Sequence, residues 1–212
     1  MRKVITGILF AFFCISAMCR AEVFPIGQLQ ESNPIMAQYY IGCSYINQYI
    51  RTKRVESLED ALVKLNPAHL KTDRFRPDSI VEDSGICDFA GHFVYDYQYA
   101  LAVYEEREIP KEFGLQRGGQ ECKVALLALK PHSSVVYKVE SYFDFVEMLT
   151  ICEPGSIVTI QAKEIGTGKI HNGELFDDDT VCHTSWSLFC DDLEITITNT
   201  SDEITSLAFL IN

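Results

Sequence analysis

Three residues in this chain could together open an acyl bond: a cysteine at 43, a histidine at 183 and an asparagine at 199. A cysteine attacks a carbonyl as the thiolate, so it needs a setting that favours charged sulfur. A helix N-terminus or a neighbouring imidazolium supplies one. Cys43 follows Gly42 where a helical period opens, with Ile46, Tyr49, Ile50 and Lys53 on one face. Gly42 leaves room for a group to approach the sulfur. Of the five histidines, His69 reads as a cap at a helix C-terminus, and His132 and His171 read as solvated turn residues. His92 precedes a helix, where a core, capping or functional role is open. His183 differs in starting a strand.

A hairpin would bring that histidine to the asparagine. The runs Thr184–Phe189 and Leu193–Thr198 are rich in β-branched and aromatic residues and flank Cys190-Asp191-Asp192, a connection of hairpin length. Pairing Phe189 with Leu193 sets His183 opposite Asn199, with Cβ atoms roughly 4.5–5.5 Å apart. The amide oxygen would then fix the orientation and tautomer of the imidazole.

The elements around these residues read as helices first and strands after. Residues 22–42 are irregular, punctuated by Pro25, Gly27 and Pro34; the first helix starts at Cys43. A second helix opens at Ser57 as N-cap and stops before Pro67, and residues 71–86 form an exposed loop. A third helix runs from about Phe93 to Glu106, and a short fourth from Ser141 to Leu149 turns Tyr142, Phe145, Val146 and Leu149 inward. Val124–Leu129, Val135–Val139, Ile157–Ala162 and Ile204–Ile211 are further strand-like runs. This order is an α+β pattern.

Composition sets the surroundings. The formal net charge of −12 argues against nucleic acid and against an anionic membrane surface. Arg2 and Lys3, the apolar run Val4–Ile15 and the Cys19-Arg20-Ala21 end make residues 1–21 a secretory signal peptide cut after Ala21. The mature chain, 22–212, is then expected to be secreted or in an endolysosomal lumen, with no membrane attachment. Cys43, Cys87, Cys122, Cys152, Cys182 and Cys190 remain after the cut. They allow three disulfides, which counting alone favours, or one functional thiol with five others, which spacing has to support.

The same residues resemble the papain-like, cathepsin-type cysteine peptidases. His183 follows Cys43 by 140 residues and Asn199 follows it by 156, similar to the family's spacing. "NPIMAQYYIGCSY" looks like the segment holding that family's oxyanion glutamine and nucleophile, and "LNPAHL" like the motif after its central helix. "GICDFAG" resembles its Cys-Asn-Gly-Gly segment, "GQECK" sits where a disulfide cysteine is expected, and "CHTSWSLF" with "LEITITNTS" resemble its paired strands. The resemblance implies a two-lobe fold, with a helical lobe at about 43–118, an antiparallel β lobe at about 119–212 and the cleft between them. It implies that Cys43 attacks a peptide carbonyl, His183 shuttles the proton, Asn199 orients it and Gln38 donates to the oxyanion. Gly91 would contact substrate, and Cys87 would pair with Cys122. The implied protein is a monomeric thiol protease acting on peptides or proteins through an acyl-enzyme, with no cofactor and no metal. Only the nucleophile of the family's Cys-Gly-Ser-Cys-Trp motif is intact in Tyr40-Ile41-Gly42-Cys43-Ser44. The alternative is therefore a catalytically inactive papain-like protein that binds a peptide or protein partner.

Overall fold

Among the described residues two strands are covered along nearly their whole length rather than on alternate residues, and they set the architecture. Phe145–Cys152 and Thr205–Ile211 are buried on both faces, as strands are when layers cover a sheet on both sides. The structure, a computed structural model, describes residues 22–65, 72–74, 79–82, 85–86, 122–140, 145–188 and 192–212. Among these residues three helices come first: α1 (Ile26–Ser32), α2 (Pro34–Thr52) and α3 (Val55–Lys64). Eleven strands follow: β1 (Thr72–Arg74), β2 (Ser79–Glu82), β3 (Cys122–Leu129), β4 (Ser133–Glu140), β5 (Phe145–Cys152), β6 (Val158–Glu164), β7 (Ile170–Asn172), β8 (Glu174–Phe176), β9 (Val181–Ser187), β10 (Asp192–Asn199) and β11 (Thr205–Ile211).

They form a six-stranded sheet, ordered β1-β3-β11-β5-β9-β8, and a five-stranded sheet, ordered β2-β4-β10-β6-β7. From β3 onward the chain passes repeatedly between the sheets, and β3-β11-β5-β9 faces β4-β10-β6-β7. That is the strand order of a jelly roll, an architecture that closes two Greek keys over a common core. Val146, Met148, Ile160, Ile195, Ile197, Leu207 and Phe209 fill the space between the sheets. Leu149, Ile151, Ala208 and Leu210 point the other way, and Leu29, Met36, Tyr39, Cys43 and Ile46 of the helices pack on them. The helices therefore form a third layer on the outer face of the six-stranded sheet.

Local signals explain the helices. The Asn33 side chain accepts from the Met36 amide at 3.0 Å, capping α2, and Pro34 occupies the first turn, where a missing N–H costs nothing. Gly42 lets α3 approach: a Cβ there would lie 2.4 Å from Leu65 Cγ.

This arrangement corrects the expected two-lobe papain-like α+β fold. Among the described residues no helical lobe faces a β lobe across a cleft; the described helices lie flat on a sheet. β1, from the expected helical half, pairs with β3 at Thr72↔Cys122. α2 begins at Pro34, not at Cys43, because Asn33-Pro34 is a stronger start than any signal at 43. The helix expected over 141–149 is β5 from Phe145 onward, since a strand covered on both faces carries no alternation to betray it. The expected loop at 71–86 contains β1 and β2. The helix expected at 93–106 lies outside the described residues, as do residues 1–21.

Candidate functional site

The four residues expected to carry catalysis are dispersed through this fold. Cys43 sits in the middle of α2, fully buried against the six-stranded sheet. Burial pushes its thiol well above the usual cysteine range, the opposite of what a nucleophile requires. Gln38 donates from Nε2 to the Lys64 carbonyl at 3.0 Å, satisfying the end of α3 rather than waiting for an oxyanion.

His183 and Asn199 are not hairpin partners. β9 pairs with β5 and β8, so His183 faces Leu149 and Glu174. β10 lies in the other sheet, where Asn199 faces Ser133 and Val158. Ser187 thus ends a strand of one sheet and Asp192 opens a strand of the other. Asn199 Nδ2 donates to the carbonyls of Leu129, Lys130 and Glu203, and Oδ1 accepts from the Ser201 amide and the Thr205 hydroxyl. The side chain is spent on tying two loops together.

The expected disulfide is also corrected at its one described end: Cys122 is a free, buried thiol, raised to about 12 chiefly by burial and then by Glu147. Cys43, Cys152 and Cys182 are likewise free. Cys87 and Gly91 lie outside the described residues.

What His183 does meet is Glu147. Both stand on the helix-covered face of the six-stranded sheet, and His183 Nε2 lies 3.1 Å from Glu147 Oε1. Ser32 at the end of α1 donates its hydroxyl to the same carboxylate, at 3.0 Å to Oε2 and 3.2 Å to Oε1. The His183 ring meets Phe24 edge-on at 5.3 Å. The carboxylate is the centre of this trio. Ser32 therefore bonds to the glutamate, not to the imidazole, and is not activated as a nucleophile would be. The trio fastens α1 to the sheet. A second pair, His171 and Glu164 at 2.8 Å, lies on the five-stranded sheet, with the imidazole stacked on Trp186 at 4.1 Å. Among the described residues no group of three or more histidine, cysteine, aspartate or glutamate side chains is placed to hold a metal.

Open space with unmet polar groups occurs elsewhere, between α2 and the turn joining β8 to β9. A cavity of about 370 Å³ is lined by Tyr40, Asn47, Gln48, Arg51, Asp177 and Asp178, among others, with Ile151 and Val181 as apolar wall. The Tyr40 hydroxyl donates to Asp177 Oδ2, and burial and this carboxylate together push the phenol well above its usual range. Asp177 Oδ1 accepts from the Phe24 amide at 3.1 Å. Arg51 approaches Asp178 at 3.9 Å. Asp177, Asp178 and Asp179 all hold left-handed backbone, with φ of 52°, 56° and 64°, a conformation Asp tolerates better than most residues. Asn47 is the distinctive member. It is 7% exposed and donates from Nδ2 to the Cys152 carbonyl at 2.9 Å, yet its Oδ1 has no partner.

A larger hollow of about 720 Å³ lies between the 153–157 turn and the 200–204 loop. There the polar groups answer one another: Thr205 bonds Ser156, Ser201 accepts from the Ile157 amide and Glu153 accepts from the Ser206 amide. The smaller cavity is the better candidate because its wall is incomplete. Its residues escaped the sequence reading, although Tyr40, Ser44, Asn47, Gln48 and Arg51 recur at helical spacing and the triple aspartate is visible.

No family model and no curated protein matches the chain. Among solved structures, a de novo designed double-stranded β-helix aligns at 12% identity over 42% of this chain and 99% of its own, with a TM-score of 0.28. A family 29 carbohydrate-binding module complexed with cellulohexaose aligns at 12% identity over 43% of this chain and 74% of its own, TM-score 0.28. A family GH115 4-O-methyl-α-glucuronidase covers 84% of this chain and 28% of its own at 8% identity, TM-score 0.31. Likenesses this faint assign neither a family nor a ligand. The strand order of the chain itself carries the fold description.

Proposed function

We propose that this protein is a secreted binding domain whose ligand is a small, neutral, polyhydroxylated molecule held between α2 and the β8–β9 turn. The single observation that carries the reading is the cavity itself, whose lining residues include Asn47, a buried side chain with an Oδ1 that has no partner. An unmet buried acceptor costs about 1–3 kcal/mol, and a ligand hydroxyl would recover that cost. Around it stand an amide, a guanidinium and carboxylates from Gln48, Arg51, Asp177 and Asp178. Planar groups of this kind exchange paired hydrogen bonds with neighbouring hydroxyls. Ile151 and Val181 offer apolar surface to the carbon skeleton. The net charge of −12 disfavours an anionic ligand. Binding rather than hydrolysis fits a wall whose less exposed acid, Asp177, is already bonded to Tyr40 and the Phe24 amide and which holds no activated nucleophile among the described residues.

The test is a calorimetric or NMR titration with a panel of monosaccharides, disaccharides and linear polyols. At least one should bind, and Gln48→Ala, at an exposed position, should weaken it about tenfold while leaving the melting temperature unchanged. A bound sugar whose affinity is indifferent to Gln48→Ala and to Asn47→Leu would place binding elsewhere. No binding across the panel would end the proposal.

A further inference from the structure

The segment that leads into α1 forms part of the wall of this same cavity. Val23 lines it together with Tyr40, Asp177 and Asp178, and the residues on either side of Val23 are both tied to Asp177. The Asp177 amide donates to the Glu22 carbonyl at 3.0 Å, and the Phe24 amide donates to Asp177 Oδ1 at 3.1 Å. The Phe24 ring is buried, with its centroid 4.8 Å from that of Tyr40, 5.4 Å from Phe176 and 5.3 Å from His183. The Phe24 carbonyl accepts from the Ile26 amide, where α1 starts, at 2.8 Å. Residues 22–24 are therefore a strap with a fixed backbone and one side chain left uncovered.

That side chain is apolar. Val23 is 78% exposed, whereas the other aliphatic residues of the cavity, Ile151 and Val181, are 0% and 2% exposed. A single exposed valine on an open surface needs no explanation. One held by a fixed backbone on the wall of a cavity is a preorganised contact, because little ordering of the chain remains to oppose binding there.

We infer that Val23 is the specificity-determining residue of this cavity and that the ligand is a deoxy sugar, whose hydroxyls meet α2 and whose deoxygenated carbon lies against the valine. The inference deepens the binding reading above and rests on it. A hydroxyl set against Val23 would leave water without gaining a partner. The valine side chain neither donates nor accepts, and the neighbouring Glu22 carbonyl and Phe24 amide are already engaged with Asp177. A methyl group in the same place forfeits no hydrogen bond and covers apolar surface. The groups that can serve hydroxyls, Asn47, Gln48 and Arg51, stand across the cavity on α2. Two unlike walls thus call for a ring with two unlike edges.

The experiment titrates the protein calorimetrically with matched pairs, each hexose against its 6-deoxy form of the same configuration. At least one 6-deoxyhexose should bind about three- to tenfold tighter than its parent hexose, the span for one methyl group partly covered at an open site. Val23→Ser should bring that ratio below about twofold while keeping the affinity for the hexose, and Val23→Ile should keep or raise it. All three proteins should melt together, because position 23 is exposed. Hexoses that bind as tightly as their deoxy forms overturn the inference and leave the binding reading standing. A deoxy preference that survives Val23→Ser overturns it too, since the selecting surface then lies elsewhere. If no member of any pair binds, the inference falls, and the panel of disaccharides and linear polyols judges the binding reading on its own.

Discussion

Replacing His183 separates a structural role for this imidazole from a catalytic one. His183→Leu keeps an apolar edge against Phe24 but removes the Nε2 contact with Glu147. The Glu147 side chain is 4% exposed and that of His183 19%. Breaking a buried pair by deleting one member costs about 3–5 kcal/mol because the remaining charge is stranded. Two features reduce this: the Ser32 hydroxyl still bonds the carboxylate, and the histidine edge reaches solvent. We therefore expect a loss of about 2–3 kcal/mol, or about 5–10 °C in melting temperature. Glu147→Gln should cost less, since the amide oxygen still accepts from Ser32. In the double variant the losses should fall short of additivity by at least about 1 kcal/mol. Urea unfolding of the four proteins measures each value. If His183→Leu stays within about 0.5 kcal/mol of the parent, the Glu147 bond is not what holds α1 to the sheet. If peptide hydrolysis also disappears in that variant, the histidine belongs to a reaction and the structural reading is refuted.

Two more predictions follow from burial and from a perturbed carboxyl. Iodoacetamide should modify Cys43 at least about 10³-fold more slowly in the native protein than in urea, because access requires unfolding; stoichiometric alkylation of the folded chain, read by mass spectrometry, would contradict the placement of this thiol. Glu164 is held below the usual carboxylate range by the Thr167 hydroxyl and then by His171. Its contribution to stability is therefore present above the unfolded value of about 4.3 and is lost as pH falls through the lower folded value. Glu164→Gln should flatten the decline of the urea midpoint below about pH 5, and an acid limb identical to the parent would remove this carboxylate from the account.

The sequence was legible where one local pattern had one structural outcome. β10 alternates along its length and was visible as a strand, and the segment around His183 was recognisably extended. What local pattern does not contain is sheet membership. β9 and β10 are close enough in sequence for a hairpin, yet they belong to different sheets, so correct strands gave a wrong partner for His183. The sides then follow from the sheets. His183 sits on the outer face of its sheet with Leu149, while Asn199 looks into the space between the sheets with Ile197 and Leu193. β5 failed for the opposite reason: double burial removed the alternation that would have distinguished it from a helix. Asn33-Pro34, by contrast, is a readable helix start, with the Asn33 side chain capping and Pro34 in the first turn.

The helix that drew attention as the seat of a thiolate holds the better candidate on its neighbouring face. Met36, Tyr39, Cys43 and Ile46 form its buried stripe. Tyr40, Ser44, Asn47, Gln48 and Arg51 form the adjoining one, which lines the cavity. The polar stripe was present in the sequence at the same period, but nothing local could say that β8 and β9 would bring Asp177 and Asp178 opposite it. A cysteine four residues after Tyr39 and three before Ile46 on one helix face, flanked by such a stripe, is better placed to fill a core than to cut a peptide. The chemistry available to this helix is therefore the hydrogen bonding of its half-exposed side, and the buried oxygen of Asn47 marks where that bonding is unfinished.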